Sequence, residues 1–203
     1  MPKAIILRFE SYLTYLGQLK NQGKTTATSE DLAKLFGISG SRVRQDLITL
    51  NITGKPRSGY DIGELEDAII RALDVHNTKP MALVGFGNLG RALAGSDVWN
   101  HGGFALRAIF DNDSQLVGSE VHGIKVRSIT ELFGVIKSEG ICAACITVPS
   151  AVAQEVANML VTAGIRAIWN FSPVELSLGP DIVVVNQRLE EGLMTLSYRM
   201  KTD

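Results

Sequence analysis

Residues 81–93, MALVGFGNLGRAL, constrain the fold more than any other part of the chain. A short apolar run leads straight into Gly85-x-Gly87-x-x-Gly90, and the glycines open a segment of helical character. In the order strand, glycine turn, helix, each glycine has its own task. Gly85 permits the tight turn, Gly87 lets a pyrophosphate approach the backbone, and Gly90 lets the helix pack closely on the strand. The first-turn N–H groups and the positive end of the helix dipole point at the same place. The expected ligand-binding set therefore begins with Gly85, Phe86, Gly87, Asn88, Leu89 and Gly90. A helix is expected over 88–98. Strands are expected over 104–111 (FALRAIFD), 142–148 (CAACITV), 166–171 (RAIWNF) and 181–185 (DIVVV), with helices over 129–138 and 150–162. Strands alternating with helices imply a parallel sheet built from right-handed crossovers.

The strand FALRAIFD ends in Asp111, at the distance from the glycines where an acid meets the adenosine ribose. A carboxylate there binds both ribose hydroxyls and repels a 2′-phosphate, which favours NAD(H) over NADP(H). A flavodoxin-like or CoA-binding domain with the same turn is the competing reading. Two more loops follow strands at their carboxyl ends, where open α/β sheets bind ligands. They add Thr147, Val148 and Pro149, then Asn170, Ser172 and Pro173, to the candidate set. For the two prolines, simple strand termination is the alternative.

Upstream the pattern is helical. Ile6, Phe9, Leu13, Leu16 and Leu19 mark one face of a helix over 3–21. Thr28 and Asp31 form a capping-box pattern at the start of a second helix, which Gly37 stops. Ser39 or Ser41 caps a third, with Val43 and Leu47 inward, and Asp61 opens a fourth. The run 28–50 has a helix-turn-helix layout in which the third helix presents Ser41, Arg42, Arg44 and Gln45. Such side chains reach base edges and phosphates in a major groove. The segment TGKPRSGY reads as a hairpin or wing carrying Lys55 and Arg57. A plain three-helix bundle with a polar surface is the alternative.

The net charge of −1 hides an asymmetry. Residues 1–60 carry nine Lys/Arg against four acids, a net of +5, and the remaining 143 carry −6. That split fits a DNA-binding head on a differently employed body. With 45% hydrophobic and 20% charged residues the chain is neither disordered nor collagenous, and two cysteines make no disulfide framework. The longest uncharged stretch, 141–154, is too short to span a membrane, and the N-terminal residues lack a signal-type apolar run. A cytoplasmic protein is expected. Cys142 and Cys145 read as core residues of a strand, and His76, His101 and His122 have no ligand spacing, so no metal site is expected. No catalytic residue is assigned. The α/β part is about the size of a dinucleotide fold alone, which favours sensing a dinucleotide over turning it over. A small NAD-dependent oxidoreductase, or a winged-helix regulator sensing CoA or another adenylated ligand, are the rival readings.

Several landmarks in order carry a resemblance: Pro2-Lys3-Ala4 and Arg8, Val43-Arg44-x-Asp46-Leu47, Gly59-Tyr60-Asp61, VGFGNLGRAL with Asp111 and Asp113, TVPSAVAQEVA, NFSPVEL and a terminal LxxLSY. Along nearly its whole length the chain resembles the Rex family of redox-sensing transcriptional repressors. The resemblance implies an N-terminal winged helix (1–78), a Rossmann-type parallel α/β domain (79–185) and a C-terminal helix (186–203) exchanged between the subunits of a homodimer. It further implies binding to a palindromic operator in double-stranded DNA, with NADH releasing the DNA and NAD+ competing. The chain departs from the family pattern at Gln45, where a second Arg is usual, and over 48–53 and 55–57, positions that bear on operator sequence. Positions that couple the domains in some members hold Thr14, Ser96 and Arg188. The resulting expectation is that NADH binds while its coupling to DNA release is altered.

Overall fold

In the computed structural model, which describes residues 1–55 and 58–201, helix α1 spans Lys3–Asn21. It buries Ile5, Phe9, Tyr12, Leu16 and Leu19, not the expected stripe through Ile6 and Leu13. The helix is rotated because Tyr12 goes inside. Its ring meets Phe36 edge-on at 5.6 Å, and its hydroxyl donates to buried Asp46. The first unit, Met1–His76, continues with β1 (Thr26–Ala27), α2 (Ser29–Lys34), α3 (Gly40–Ile48), β2 (Tyr60–Asp61) and α4 (Ile62–Leu73). Its core adds Leu32, Val43, Leu47, Leu65 and Ile69 to the α1 stripe.

Local signals explain the boundaries. The Thr28 hydroxyl accepts from the Asp31 N–H at 3.1 Å, while the Asp31 carboxylate accepts from the Thr28 N–H at 3.0 Å. Ser39 caps α3, and Asp61 caps α4 through the Glu64 N–H. Gly37, at φ +59°, turns the chain between α2 and α3. Beyond α3 the chain doubles back. Lys55 bridges Gly59 in both directions, and β1 pairs antiparallel with β2, Ala27 opposite Tyr60.

The second unit begins at Asn77. It contains β3 (Lys79–Val84), α5 (Asn88–Ala94), α6 (Val98–His101), β4 (Phe104–Asp111), β5 (Glu120–Val121) and β6 (Ile124–Ser128). Then come a 3₁₀ turn at Ile129–Glu131, α7 (Leu132–Ser138), β7 (Ala143–Ile146), α8 (Ser150–Thr162), β8 (Ala167–Asn170), β9 (Val183–Asn186) and α9 (Glu190–Arg199). The sheet order is β5-β6-β4-β3-β7-β8-β9, with every pair parallel except β5–β6. Leaving out the short β5, this is the doubly wound 3-2-1-4-5-6 arrangement, and the strand order reverses between β3 and β7. Side chains alternate across the sheet. Ala82, Val84 and Phe110 pack under α7 and α8, while Met81, Leu83 and Ile109 pack on the side of Ala94 and Trp99.

Two sequence expectations change here, and one hairpin appears where none was expected. The helix over 88–98 is two helices, because the Leu93 carbonyl accepts from the Ser96 hydroxyl and Trp99 Nε1. Residues 120–128 form a hairpin whose turn, His122-Gly123, takes positive φ at both positions. Cys145 is buried in β7, and burial pushes its thiol pKa up, but Cys142 precedes the strand and is exposed. Every residue of α9 is exposed, including Leu193, Met194, Leu196 and Tyr198. Among the described residues no helix is long and apolar enough to cross a membrane.

Candidate dinucleotide and nucleic-acid sites

In the second unit the parallel register aligns the strand ends. Val84 lies opposite Phe110 on one side and Ile146 on the other, and Ile146 lies opposite Asn170. The residues that follow these positions are therefore neighbours at the carboxyl edge of the sheet, across the point where the strand order reverses. Gly85 sits at φ +100°, and a Cβ on it would come within 3.0 Å of the Thr147 carbonyl. Gly90 packs so closely that a Cβ there would run into the Gly85 carbonyl oxygen. A Cβ on Gly87 would meet nothing within 4 Å. Gly87 thus faces open space, with no side-chain cap on α5, and this is where a phosphate would lie.

Phe86 is the one residue in this turn between glycines that carries a side chain, and its peptide is held at both ends. Its N–H donates to Asp111 Oδ2 at 2.5 Å, and its carbonyl accepts from Arg91 Nε at 3.1 Å. The Arg91 guanidinium also lies 5.4 Å from the Phe86 ring centroid. The other Asp111 oxygen accepts from the Asp113 N–H at 2.8 Å. Asn88 is exposed and Leu89 half-buried at the start of α5. Thr147 donates its hydroxyl to the Gly85 carbonyl at 2.7 Å, tying the β7 loop to the glycine turn. The two later loops are joined by the Ser172 hydroxyl, which donates to the Val148 carbonyl at 2.5 Å. Asn170 is buried and builds its own loop. Its amide donates to the carbonyls of Ser172 and Val174 and to Asn186, and its oxygen accepts from the Ser172 N–H. Pro149 and Pro173 are exposed at the loop tips. Thus all the sequence-selected residues of this group meet at one edge. Arg91 was not selected, since its link to Phe86 appears only once the turn closes back on α5.

In the first unit α3 divides cleanly. Val43, Asp46 and Leu47 are buried, whereas Ser41, Arg44, Gln45 and Ile48 share the outer face and Arg42 is also exposed. Lys55 is exposed at the base of the hairpin, and Arg57 lies outside the described residues. Two acids missed by sequence reasoning organise this helix. Asp46 is 2% exposed and accepts from Arg8 Nε at 2.6 Å and Nη2 at 2.8 Å, a bidentate pair joining α1 to α3. The hydrogen bond to Asp46 raises the Arg8 pKa further, and burial with the Asp46 charge pushes the Tyr12 phenol up to about 12. On the outer side Arg44 Nη1 donates to Ser29 Oγ at 2.8 Å and Glu30 Oε1 at 3.0 Å. The Ser29 hydroxyl, then Arg44, hold the Glu30 carboxyl below its ordinary range. Of the positions flagged as departures, Thr14 donates to the Glu10 carbonyl, Ser96 to Leu93, and Arg188 pairs with Glu175.

Comparison with known proteins matches both units. A family model described as CoA binding domain matches residues 76–174, and one for a DNA-binding protein N-terminus matches residues 1–47. The redox-sensing transcriptional repressor Rex of Caldicellulosiruptor saccharolyticus is 38% identical over 97% of this chain and 90% of its own length. Among solved structures, RSP, a Rex-family repressor, in complex with beta-NADH is 32% identical with a TM-score of 0.90, covering 100% of this chain and 95% of its own. RSP in complex with beta-NAD+ and operator DNA is 32% identical with a TM-score of 0.91, covering 100% of this chain and 93% of its own.

Proposed function

The chain belongs to the Rex family of redox-sensing transcriptional repressors, and from that membership we propose that it is itself a repressor sensing the NADH/NAD+ ratio, NADH binding releasing its operator. The observation that carries this reading is the match, over the whole chain, to a relative solved both with NADH and with NAD+ and operator DNA. In the proposed arrangement Ser41, Arg42, Arg44 and Gln45 meet the major groove, and Lys55 and Arg57 belong to the wing. Gly85 to Gly90 cradle the pyrophosphate, for which the open space over Gly87 leaves room. Asp111 takes the adenosine ribose, and the loops at Thr147–Pro149 and Asn170–Pro173 flank the nicotinamide half. The ligand is read, not consumed: the chain's own residues bind and orient it, and no residue is assigned as catalyst. The working division is 1–78, 79–185 and 186–203, with the last segment exchanged in a cytoplasmic homodimer. The exposed apolar residues of α9, and of β9 at Val183 and Val185, support that exchange.

A mobility-shift experiment tests the reading. The protein should retard a palindromic DNA selected from a random library, and NADH should release it while NAD+ should not. NADH titration of the preformed complex measures how strongly the units are coupled with Thr14, Ser96 and Arg188 in place. The CoA-binding family match supplies the second reading, a winged-helix regulator of an adenylated ligand. Calorimetric titration in which CoA binds and NADH does not would replace the first reading with the second.

A further inference from the structure

We propose that Glu30 is a positioning residue that turns Arg44 into a guanine reader, and so helps set the operator sequence. The inference deepens the DNA-binding reading and rests on it. Arg44 and Ile48 line a cleft of about 450 Å³ that runs between the outer face of α3 and the hairpin, past Ile52, Lys55 and Tyr60. The Glu30 carboxylate has a built seat at its edge. Oε2 accepts from the Ser29 hydroxyl at 3.0 Å, Oε1 accepts from Arg44 Nη1 at 3.0 Å, and the same Nη1 donates to Ser29 Oγ at 2.8 Å. Gly40, the first residue of α3, leaves the room: a Cβ there would strike the Glu30 carboxylate.

The contact engages Arg44 through one nitrogen. Among the described residues nothing engages the Nε–Nη2 edge, which carries two parallel N–H donors, the pair that matches O6 and N7 of guanine. Glu30 and Arg44 are 64% and 52% exposed, so the pair contributes little to folding. What it does supply is direction. A free arginine side chain gives up much rotamer freedom when it docks, and one already tethered gives up less. The tether also makes Arg44 a poor roaming phosphate contact, because Glu30 would be drawn toward the DNA backbone with it.

The test uses the full chain and an operator selected in vitro by the wild-type protein. Binding is measured to that operator, to versions with each guanine replaced in turn by 7-deazaguanine, and to random DNA. At the guanine that Arg44 reads, wild type should lose roughly tenfold or more on removal of N7. Glu30→Ala should shrink that loss toward none and lower operator affinity, while random-DNA affinity holds or rises as Arg44 is freed for phosphates. Gly40→Ala gives a second check on the pair, since its methyl displaces the Glu30 carboxylate and lies 3.3 Å from the Arg44 Nη1 it holds, while raising helix propensity. It should reproduce the Glu30→Ala result without loss of helical stability. Arg44→Ala should erase the 7-deaza effect by itself. Full retention of the guanine preference in Glu30→Ala overturns the positioning role. So does an equal gain in affinity for operator and random DNA, which would make Glu30 an electrostatic brake. If the wild-type protein selects no sequence at all, the DNA-binding reading fails first and takes this inference with it.

Discussion

Replacing Arg8 by Met should unfold the first unit early and leave the second where it was. The change removes both hydrogen bonds to Asp46, at 2.6 and 2.8 Å, and keeps the volume of the side chain. Asp46 stays 2% exposed. Its remaining neighbours are the Tyr12 hydroxyl at 3.3 Å and Arg42 Nε at 3.7 Å, and the Arg42 side chain is half in solvent. Removing one partner of a buried ion pair costs about 3–5 kcal/mol, and the residual partners place this case near 3. For a cooperative unit of 76 residues, each kcal/mol moves the midpoint by about 4–8 °C, so a fall of roughly 12–24 °C is expected. The assay separates the two units. Both tryptophans, Trp99 and Trp169, lie beyond residue 77, whereas the first unit is mostly helix. Far-UV circular dichroism should show an early loss of helix, and tryptophan fluorescence should keep its wild-type midpoint. The double change Arg8→Met with Asp46→Leu should recover most of the loss, because it leaves no buried charge unpaired. A loss below about 1 kcal/mol for Arg8→Met alone would refute the reasoning, since it would mean the pair is screened like a surface bridge.

Alkaline pH should probe the same cluster. The Tyr12 phenol is raised from 10 to about 12, so between those values the unfolded chain ionises and the folded one does not. Stability from this group is whole below pH 10 and falls by on the order of 2 kcal/mol as pH rises through 12, and denaturation of Tyr12→Phe should lack that component. At the low end the Asp31 carboxyl is held below its usual range by the Thr28 hydroxyl and N–H, so its contribution is present above the unfolded pKa and lost as pH falls through the folded one. Thr28→Ala should cost about 1 kcal/mol at pH 7 in chemical denaturation, and the difference from wild type should shrink in acid. In the second unit Gly90→Ala should cost about 1–3 kcal/mol, since its methyl meets the Gly85 carbonyl. Gly87→Ala should leave the thermal midpoint unchanged and weaken NADH in calorimetry, because its methyl meets only the space proposed for the ligand.

How much of this was legible in the sequence depended on range. The glycine turn, β4 with Asp111 at its end, and the Thr28–Asp31 cap are written in neighbouring residues, and each stands where the pattern put it. The face of α1 was not legible. Tyr12 is inside because Asp46, 34 positions on, receives its hydroxyl, and no periodicity reports a partner that distant. The break after Ala94 depends on the Trp99 indole reaching back to Leu93, and the 120–128 hairpin on a histidine in a positive-φ turn, where asparagine would have been the readable residue. The seat of Glu30 needed α2 and α3 docked before Gly40 could be seen as anything but a helix start. Arg44 was visible as an exposed cation, but the acid that holds it was not.

The two-ended hold on the Phe86 peptide has a consequence for how such a site can change its ligand. On the proposed reading Asp111 faces the adenosine ribose, and the same carboxylate receives the Phe86 N–H. Exchanging it for a basic residue or one with no acceptor oxygen, a step toward accepting a 2′-phosphate, would also strip the glycine turn of an anchor. Cofactor preference is therefore welded to the order of the turn. A lineage drifting from NADH to NADPH would first need another acceptor for that one N–H, and until it had one, each gain in selectivity would be spent on a looser loop.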